Sequence, residues 1–228
     1  MKLLKAIGEF LIIKFDKNSN KTFFDTNLFG WVKDIEKDYM IIRKELDNIL
    51  DYQNIPRYEN IMDITKDSEI AKKWFPWKNY YLFCYGNRID NNYNKFPKTI
   101  KLIKKIPGIK TAFFSVFEPN THLTPHRGPY KGVLRYHLGL IIPKDKELCK
   151  IRINNDIRSW EEGKSIIFDD SHIHEAWNNS NERRVVLFVD FVRPLNFPLS
   201  LINNMIIRIA KNSKEVKNIV NNIKKYPV

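Results

Sequence analysis

All five histidines of the chain, His122, His126, His137, His172 and His174, fall between residues 122 and 174. Imidazole is the commonest protein ligand for transition metals, so such clustering points to metal chemistry. A zinc hydrolase would need three ligands and a positioned base, usually HExxH on a helix, and that pattern is absent. The alternative is iron held by two histidines, with the remaining positions open for a co-substrate and oxygen. Arg184 opens a run, Arg184 to Asp190, that is otherwise apolar on both faces. A buried guanidinium needs an anion; a bound dicarboxylate would supply one through a bidentate pair, and the competing partner is a loop acid such as Glu161 or Asp170. Ser115, between Phe113 and Phe117 on an inward face, can add a hydroxyl to the same anion. Arg135 and His137 are two apart and share a strand face, while Leu134, Tyr136, Leu138 and Leu140 take the opposite, apolar one. Burying that apolar face turns Arg135 and His137 toward a polar barrel interior.

The elements that must position these groups follow from the change in period. Trp31 to Asn54 has helical periodicity, residues 64–74 read as helix or turn, and Phe96 to Ile106 as a short helix ended by Pro107-Gly108. From residue 110, Thr111 to Phe117, Val133 to Ile142, Cys149 to Ile153, Lys164 to Asp169 and Arg184 to Val192 read as short strands between Pro, Gly, Asn and Asp turns. Helices, then a β block, then a helical tail predict a mainly β jelly roll, a double-stranded β-helix. The divisions are an N-terminal helical support region (1–109), a core (110–195) and a C-terminal amphipathic tail (196–228), folded as one domain. No βαβ alternation or phosphate-binding glycine loop is present.

Once these residues are set in order, they carry a resemblance. The stretch from Ser115 to Pro194 resembles the aspartyl/asparaginyl β-hydroxylase family of Fe(II)- and 2-oxoglutarate-dependent dioxygenases. The matching segments are His122-Leu-Thr-Pro-His126-Arg-Gly128-Pro129, Leu134-Arg-Tyr-His-Leu-Gly-Leu140, Trp160-Glu-Glu-Gly163, Phe168-Asp-Asp-Ser171 with His174 and Trp177, and Arg184 leading to Asp190 and Pro194. Upstream, Trp77 to Gly86 and Pro97-Lys-Thr99 are similar to the branch that hydroxylates lipid A acyl chains. The resemblance implies iron ligation by His126 and His174, with 2-oxoglutarate and O2 as co-substrates. It implies that Arg184 and Ser115 hold the distal carboxylate of 2-oxoglutarate, that His137 lies near its chelating end and that Trp77 lines the pocket. Arg135 is expected on the substrate side, as the catalytic candidate. His122 and His172 are expected to serve loop packing and outer hydrogen bonding.

One departure bears on substrate. Enzymes of this iron class mostly use His-x-Asp/Glu, and here the third position is Gly128. The peptide-directed branch shares that gap, whereas the aromatic Trp77 segment resembles the lipid branch. The first expectation is therefore β-hydroxylation of an Asp/Asn-type side chain in a peptide or amino-acid derivative, and the alternative is hydroxylation of a lipid acyl chain at the cytoplasmic membrane face. An open position also suits chloride, as in halogenases, and a non-catalytic jelly-roll binding protein completes the set.

Composition narrows the partners. The 228 residues carry 39 Lys+Arg against 26 Asp+Glu, a net charge of +13, with 28 Lys to 11 Arg. Lysine-heavy composition of this kind follows from AT-rich coding as well as from an anionic partner. Nucleic acid is not expected, because no zinc-finger spacing, glycine-rich RNA signature or Arg-dense reading helix occurs. Cys84 and Cys149 are the only cysteines, which argues for a reducing compartment, the cytoplasm. No stretch approaches the ~20 apolar residues of a spanning helix. The ends, Met1 to Phe15 and the segment after Pro198, are basic and amphipathic, which adds peripheral contact with the inner membrane face to the expectations.

Overall fold

Strand parity divides the β-rich core into two apolar layers. On one side of the central strands lie Leu134, Tyr136, Leu138, Leu140, Val185, Leu187 and Val189, packed against helices; on the other lie Phe113, Phe117 and Phe188, facing a second sheet. The computed structural model describes residues 1–49, 51–62 and 77–226. The helix or turn expected at 64–74 lies outside them.

Eleven strands are present among the described residues: β1 (Phe23–Phe24), β2 (Trp77–Cys84), β3 (Asn87–Arg88), β4 (Ile109–Phe117), β5 (Thr121–Arg127), β6 (Val133–Ile141), β7 (Cys149–Ile153), β8 (Asp156–Ser159), β9 (Ser165–Phe168), β10 (Ile173–Asn178) and β11 (Arg184–Val192). They form a seven-stranded sheet in the order β1-β9-β6-β11-β4-β2-β3 and a four-stranded sheet in the order β5-β10-β7-β8, with every strand pair antiparallel. This is a double-stranded β-helix with helices at both ends of the chain. The segment read as helical support contributes β1, β2 and β3 to the major sheet. β2 is buried along nearly its whole length, so it shows no alternation from which a strand could be read.

The helices are α1 (Lys2–Phe15), α2 (Trp31–Lys37), α3 (Tyr39–Ile49), α4 (Tyr58–Met62), α5 (Asp90–Tyr93), α6 (Pro97–Ile103), α7 (Leu199–Lys211) and α8 (Lys214–Lys224). Ile35, Ile42, Leu46, Ile100 and Ile103 from α2, α3 and α6 close the outer face of the major sheet. Glu45 of α3 accepts hydrogen bonds from the Lys98 and Thr99 amides, capping the open first turn of α6. The C-terminal periodicity resolves into two helices because Ser213 interrupts it and caps α8 by accepting from the Val216 amide. Both cysteines are buried free thiols.

Candidate functional site

His126 of β5 and His174 of β10 are direct cross-strand partners, with ring centroids 4.2 Å apart. The Nδ1 of His126 donates to the Thr124 carbonyl at 2.7 Å, and that of His174 to the His172 carbonyl at 3.0 Å. Each bond fixes a tautomer with its lone pair on Nε2, as a metal ligand requires. Burial pushes both imidazoles toward neutrality, His174 down to about 3, where the His126 ring adds to the effect. The loop before His174 is anchored by Asp169, which accepts from Lys131 Nζ at 2.8 Å and Arg193 Nη1 at 2.7 Å.

Gly128 lies one alternation beyond His126, where a His-x-acid motif would place its carboxylate. Its amide donates to the Asp170 carbonyl at 2.8 Å, and a Cβ at this position would overlap the Asp170 carboxylate. The glycine therefore makes room for an acid delivered by another segment. Asp170 is fully buried; burial raises its carboxyl to about 7 against the opposing pull of Arg135. Arg135 Nη2 stands 2.8 Å from Asp170 Oδ2, but both Asp170 oxygens lack a hydrogen-bond partner among the described residues.

Behind the two histidines is a small chamber of about 30 Å³ lined by Trp77, Ser115, His137, Trp160, Arg184 and apolar neighbours. Arg184 is buried, its guanidinium carbon 3.5 Å from the Phe117 ring centroid and 4.5 Å from that of Trp160. No carboxylate stands within ion-pairing distance among the described residues: Glu161 pairs with Lys146, and Asp170 faces Arg135. The Nε of Arg184 is unpartnered, and burial lowers the guanidinium to about 10. Ser115 Oγ accepts from Trp77 Nε1 at 2.9 Å and from Arg184 Nη1 at 3.3 Å, so its own hydrogen is left to donate. Trp160 Nε1, a donor only, bonds His137 Nδ1 at 3.2 Å, which puts the remaining hydrogen of His137 on Nε2. That Nε2 is buried without a partner, and burial together with Arg184 holds the ring neutral. Donors on β4, β6 and β11 thus line one chamber, with Arg184 Nε and His137 Nε2 left unsatisfied and no carboxylate in reach among the described residues.

In front of the histidines opens a larger cavity of about 310 Å³, walled by Tyr58, Trp77, Tyr81, Tyr85, Phe113 and Phe188 among others. Arg135 crosses it with Nε donating to Asp190 Oδ1 at 2.9 Å and its guanidinium carbon 4.1 Å from the Phe188 ring centroid. The other cation on its wall, Arg127, pairs with Glu9 at 2.8 Å. Arg135 is held between two acids over an aromatic ring.

The model of the aspartyl/asparaginyl β-hydroxylase family matches residues 36–194, which include His126, His174, Ser115, His137, Arg184, Trp77 and Arg135. The chain belongs to that family of hydroxylases. Among its relatives is an ornithine lipid ester-linked acyl 2-hydroxylase from Rhizobium tropici, 42% identical over 97% of this chain and 78% of that protein. The human aspartyl/asparaginyl β-hydroxylase is 36% identical over 75% of this chain, which spans only 22% of that much longer protein. Similarity to the human aspartate β-hydroxylase domain-containing protein 2 is 32% over 52% of this chain and 34% of that one.

As a member of the β-hydroxylase family, the chain brings His126, His174, Ser115, His137, Arg184, Trp77 and Arg135 into one continuous region. His122 is exposed and pairs with Glu175 at 3.1 Å on the outer side of β5; His172 lies beside Lys131 and Asn154 in the supporting loop. Two site residues escape sequence reasoning. Asp170 reads there as an alternative partner for Arg184 and as part of the Phe168-to-Ser171 segment, and Trp160 only as part of a motif. The adjacency of Gly128 to a missing acid is the signal that could have directed attention to Asp170.

Proposed function

We propose that this chain is an Fe(II)- and 2-oxoglutarate-dependent hydroxylase acting on the acyl chain of a membrane lipid. The observation that carries the cofactor reading is the buried Arg184 with Ser115 and His137: three donors lining one chamber, one cationic, with no acid in reach among the described residues and with Arg184 Nε and His137 Nε2 unsatisfied. Leaving two such groups without acceptors costs several kcal/mol, and a 2-oxoglutarate dianion would remove that cost. Arg184 and Ser115 would take the distal carboxylate, His137 would donate to the chelating end, and His126 and His174 would hold iron through Nε2. Iron bound there would couple decarboxylation of 2-oxoglutarate to insertion of one atom of O2 into a C–H bond, giving succinate, CO2 and an alcohol. The chain's own part is positioning: the Phe117 and Trp160 rings keep Arg184 aimed and exclude water, and Trp160 holds the His137 tautomer. Asp170, packed on Gly128 and facing Arg135, puts an acid beside the strand position where a His-x-acid motif carries its own.

The substrate reading rests on the larger cavity. Its walls are largely aromatic and aliphatic, and Arg127 and Arg135 are each already paired with acids. A substrate carboxylate would find no uncommitted cation among the described lining residues, whereas an apolar chain would find a matching surface. The Rhizobium relative, named for an acyl 2-hydroxylase, matches almost the whole chain, which supports attack beside the acyl carbonyl. Gly128 favours the Asp/Asn side-chain reading, so the experiment offers both substrates. Purified protein with Fe(II), 2-oxoglutarate and O2 is given an ester-linked acyl lipid or an Asp-containing peptide, and products are weighed by mass spectrometry. A gain of one oxygen on the lipid, matched by succinate, is expected. Gain on the peptide alone would overturn the lipid reading. Failure of anaerobic Fe(II) with 2-oxoglutarate to give a visible charge-transfer band that His126→Ala removes would overturn the cofactor reading.

A further inference from the structure

The three terminal helices are all basic and amphipathic, yet they use their apolar residues in opposite ways. In α8, Val216, Val220 and Ile223 are buried against the inner core, leaving Lys214, Lys217 and Lys224 in water, as in an ordinary surface helix. In α1 the arrangement is inverted. At 100° per residue, Leu3, Ala6, Ile7, Phe10 and Ile13 fall on one arc with Lys14, and that arc faces solvent: Leu3 is 74% and Phe10 60% exposed. Neighbouring α7 repeats the inversion through Leu201, Met205 and Ile209 at i, i+4 and i+8, with Leu201 63% exposed, and Phe197 just before it is 81% exposed. The two helices meet where Gly8 lets Ile206 approach, since a Cβ at Gly8 would lie 2.5 Å from Ile206 Cδ1.

The free charges that α1 and α7 themselves carry have one sign, while Glu215 of α8 faces Lys5 and the N-terminus. α7 contains no acid and carries Arg208 and Lys211. The only acid of α1, Glu9, turns away to pair with Arg127 and to accept from the Lys131 amide at 3.0 Å. Lys2 and Lys14 remain exposed, with Lys14 Nζ 5.8 Å from the Phe10 ring centroid and 5.3 Å from that of Phe15. The inward sides of the same two helices adjoin the site. A cavity of about 50 Å³ reaches Lys5 of α1 and Ile207 and Ala210 of α7, and it shares Tyr85, Arg135 and Asp190 with the larger cavity.

We propose that the outer face of α1 and α7 docks on an anionic lipid bilayer and sets the mouth of the larger cavity at the lipid interface. Exposed apolar side chains on helices whose free charges are all cationic fit a surface with an apolar interior and anionic headgroups. The second half of the inference, delivery of substrate from that surface, rests on the acyl-chain reading above.

The test is flotation of the full chain with vesicles of phosphatidylcholine alone or mixed with phosphatidylglycerol. Wild type is expected to float with the mixed vesicles and to be released by salt. The double variant Phe10→Glu, Leu201→Glu is expected to bind at least tenfold less while keeping its melting temperature, because both side chains are exposed. Lys217→Glu, on α8, is expected to bind as wild type does. Wild type left in solution, or equal loss from Lys217→Glu and the double variant, would overturn the proposal; the latter would mean diffuse attraction by net charge. A dimer that the double variant dissolves, without vesicle binding, would also overturn it, assigning the face to a second copy of the chain. Hydroxylation of a soluble short-chain acyl ester separates the two readings. Turnover without vesicle binding sinks the docking face alone, and vesicle binding without acyl turnover sinks the substrate reading alone.

Discussion

Arg184 and Arg135 both lie on central strands of the major sheet and stack on aromatic rings, Arg184 buried and Arg135 nearly so, but among the described residues one has no acid and the other has two. Arg135 is saturated: Asp190 takes its Nε, Asp170 lies against Nη2, and together they raise its affinity for the proton despite burial. Arg184 is lowered by burial, and the neighbouring Cys149 thiol, which burial keeps protonated, opposes that only in part. The same residue type therefore has two meanings. A cation with internal partners belongs to the architecture, and one without them is the proposed seat of the 2-oxoglutarate carboxylate.

The contrast can be broken in three ways. The largest effect is expected from Arg135→Met, which strands Asp170 and Asp190 in a poorly solvated site and should cost about 3–5 kcal/mol of stability by urea unfolding. Adding Asp190→Asn should recover part of that loss; full stability in the single variant would show that the acids do not depend on Arg135. Next, Arg184→Met should leave the melting temperature unchanged or higher, since no internal acid loses its partner. It should raise the 2-oxoglutarate concentration for half-maximal turnover about 100-fold, from loss of charge-assisted hydrogen bonds worth roughly 1.5–3 kcal/mol each. An unchanged requirement would remove Arg184 from the co-substrate site.

The smallest effect is a slope. With the Asp170 carboxyl raised to about 7 in the folded chain and near its ordinary value of about 4 when unfolded, the folded form retains a proton between those limits. The resulting contribution to stability is complete below about pH 4 and disappears as pH rises through about 7. Asp170→Asn should therefore flatten the fall in stability of the metal-free chain between about pH 5 and 7, measured by urea unfolding. An identical slope in both proteins would mean that Asp170 is ionised throughout.

The sequence makes the core strands visible where apolar residues run or alternate. Cys149–Ile153 and Arg184–Val192 have the predicted bounds, and Val133–Ile141 ends one residue earlier than expected. Trp31 to Asn54, read as one helical stretch, contains α2 and α3 separated at Asp38. The strands that carry the metal-ligand candidates are missed as strands. Thr121–Arg127 and Ile173–Asn178 contain His, Thr, Pro and Glu where β-rich runs contain Val, Ile and Phe. Their outer face is a polar ladder, His122 and Arg152 on Glu175, so neither propensity nor hydrophobic period reports them. Ser115, His137 and Arg184 are legible because polar residues are conspicuous on otherwise apolar strands. Trp160 is not, because an aromatic residue in a core gives no hint that its N–H fixes another residue's tautomer.

Trp77, Ser115, His137 and Arg184 all belong to the major sheet, and His126 and His174 both belong to the minor one. The proposed reaction centre is thus a clearance between two separately braced plates, its tolerance set by the side chains that act as spacers. Phe117, Ile151, Phe168 and Ala176 line that clearance and set its gauge. A thicker or thinner spacer would leave each plate able to grip its own cargo and yet throw the two out of alignment, so the machine could be fully loaded and still idle.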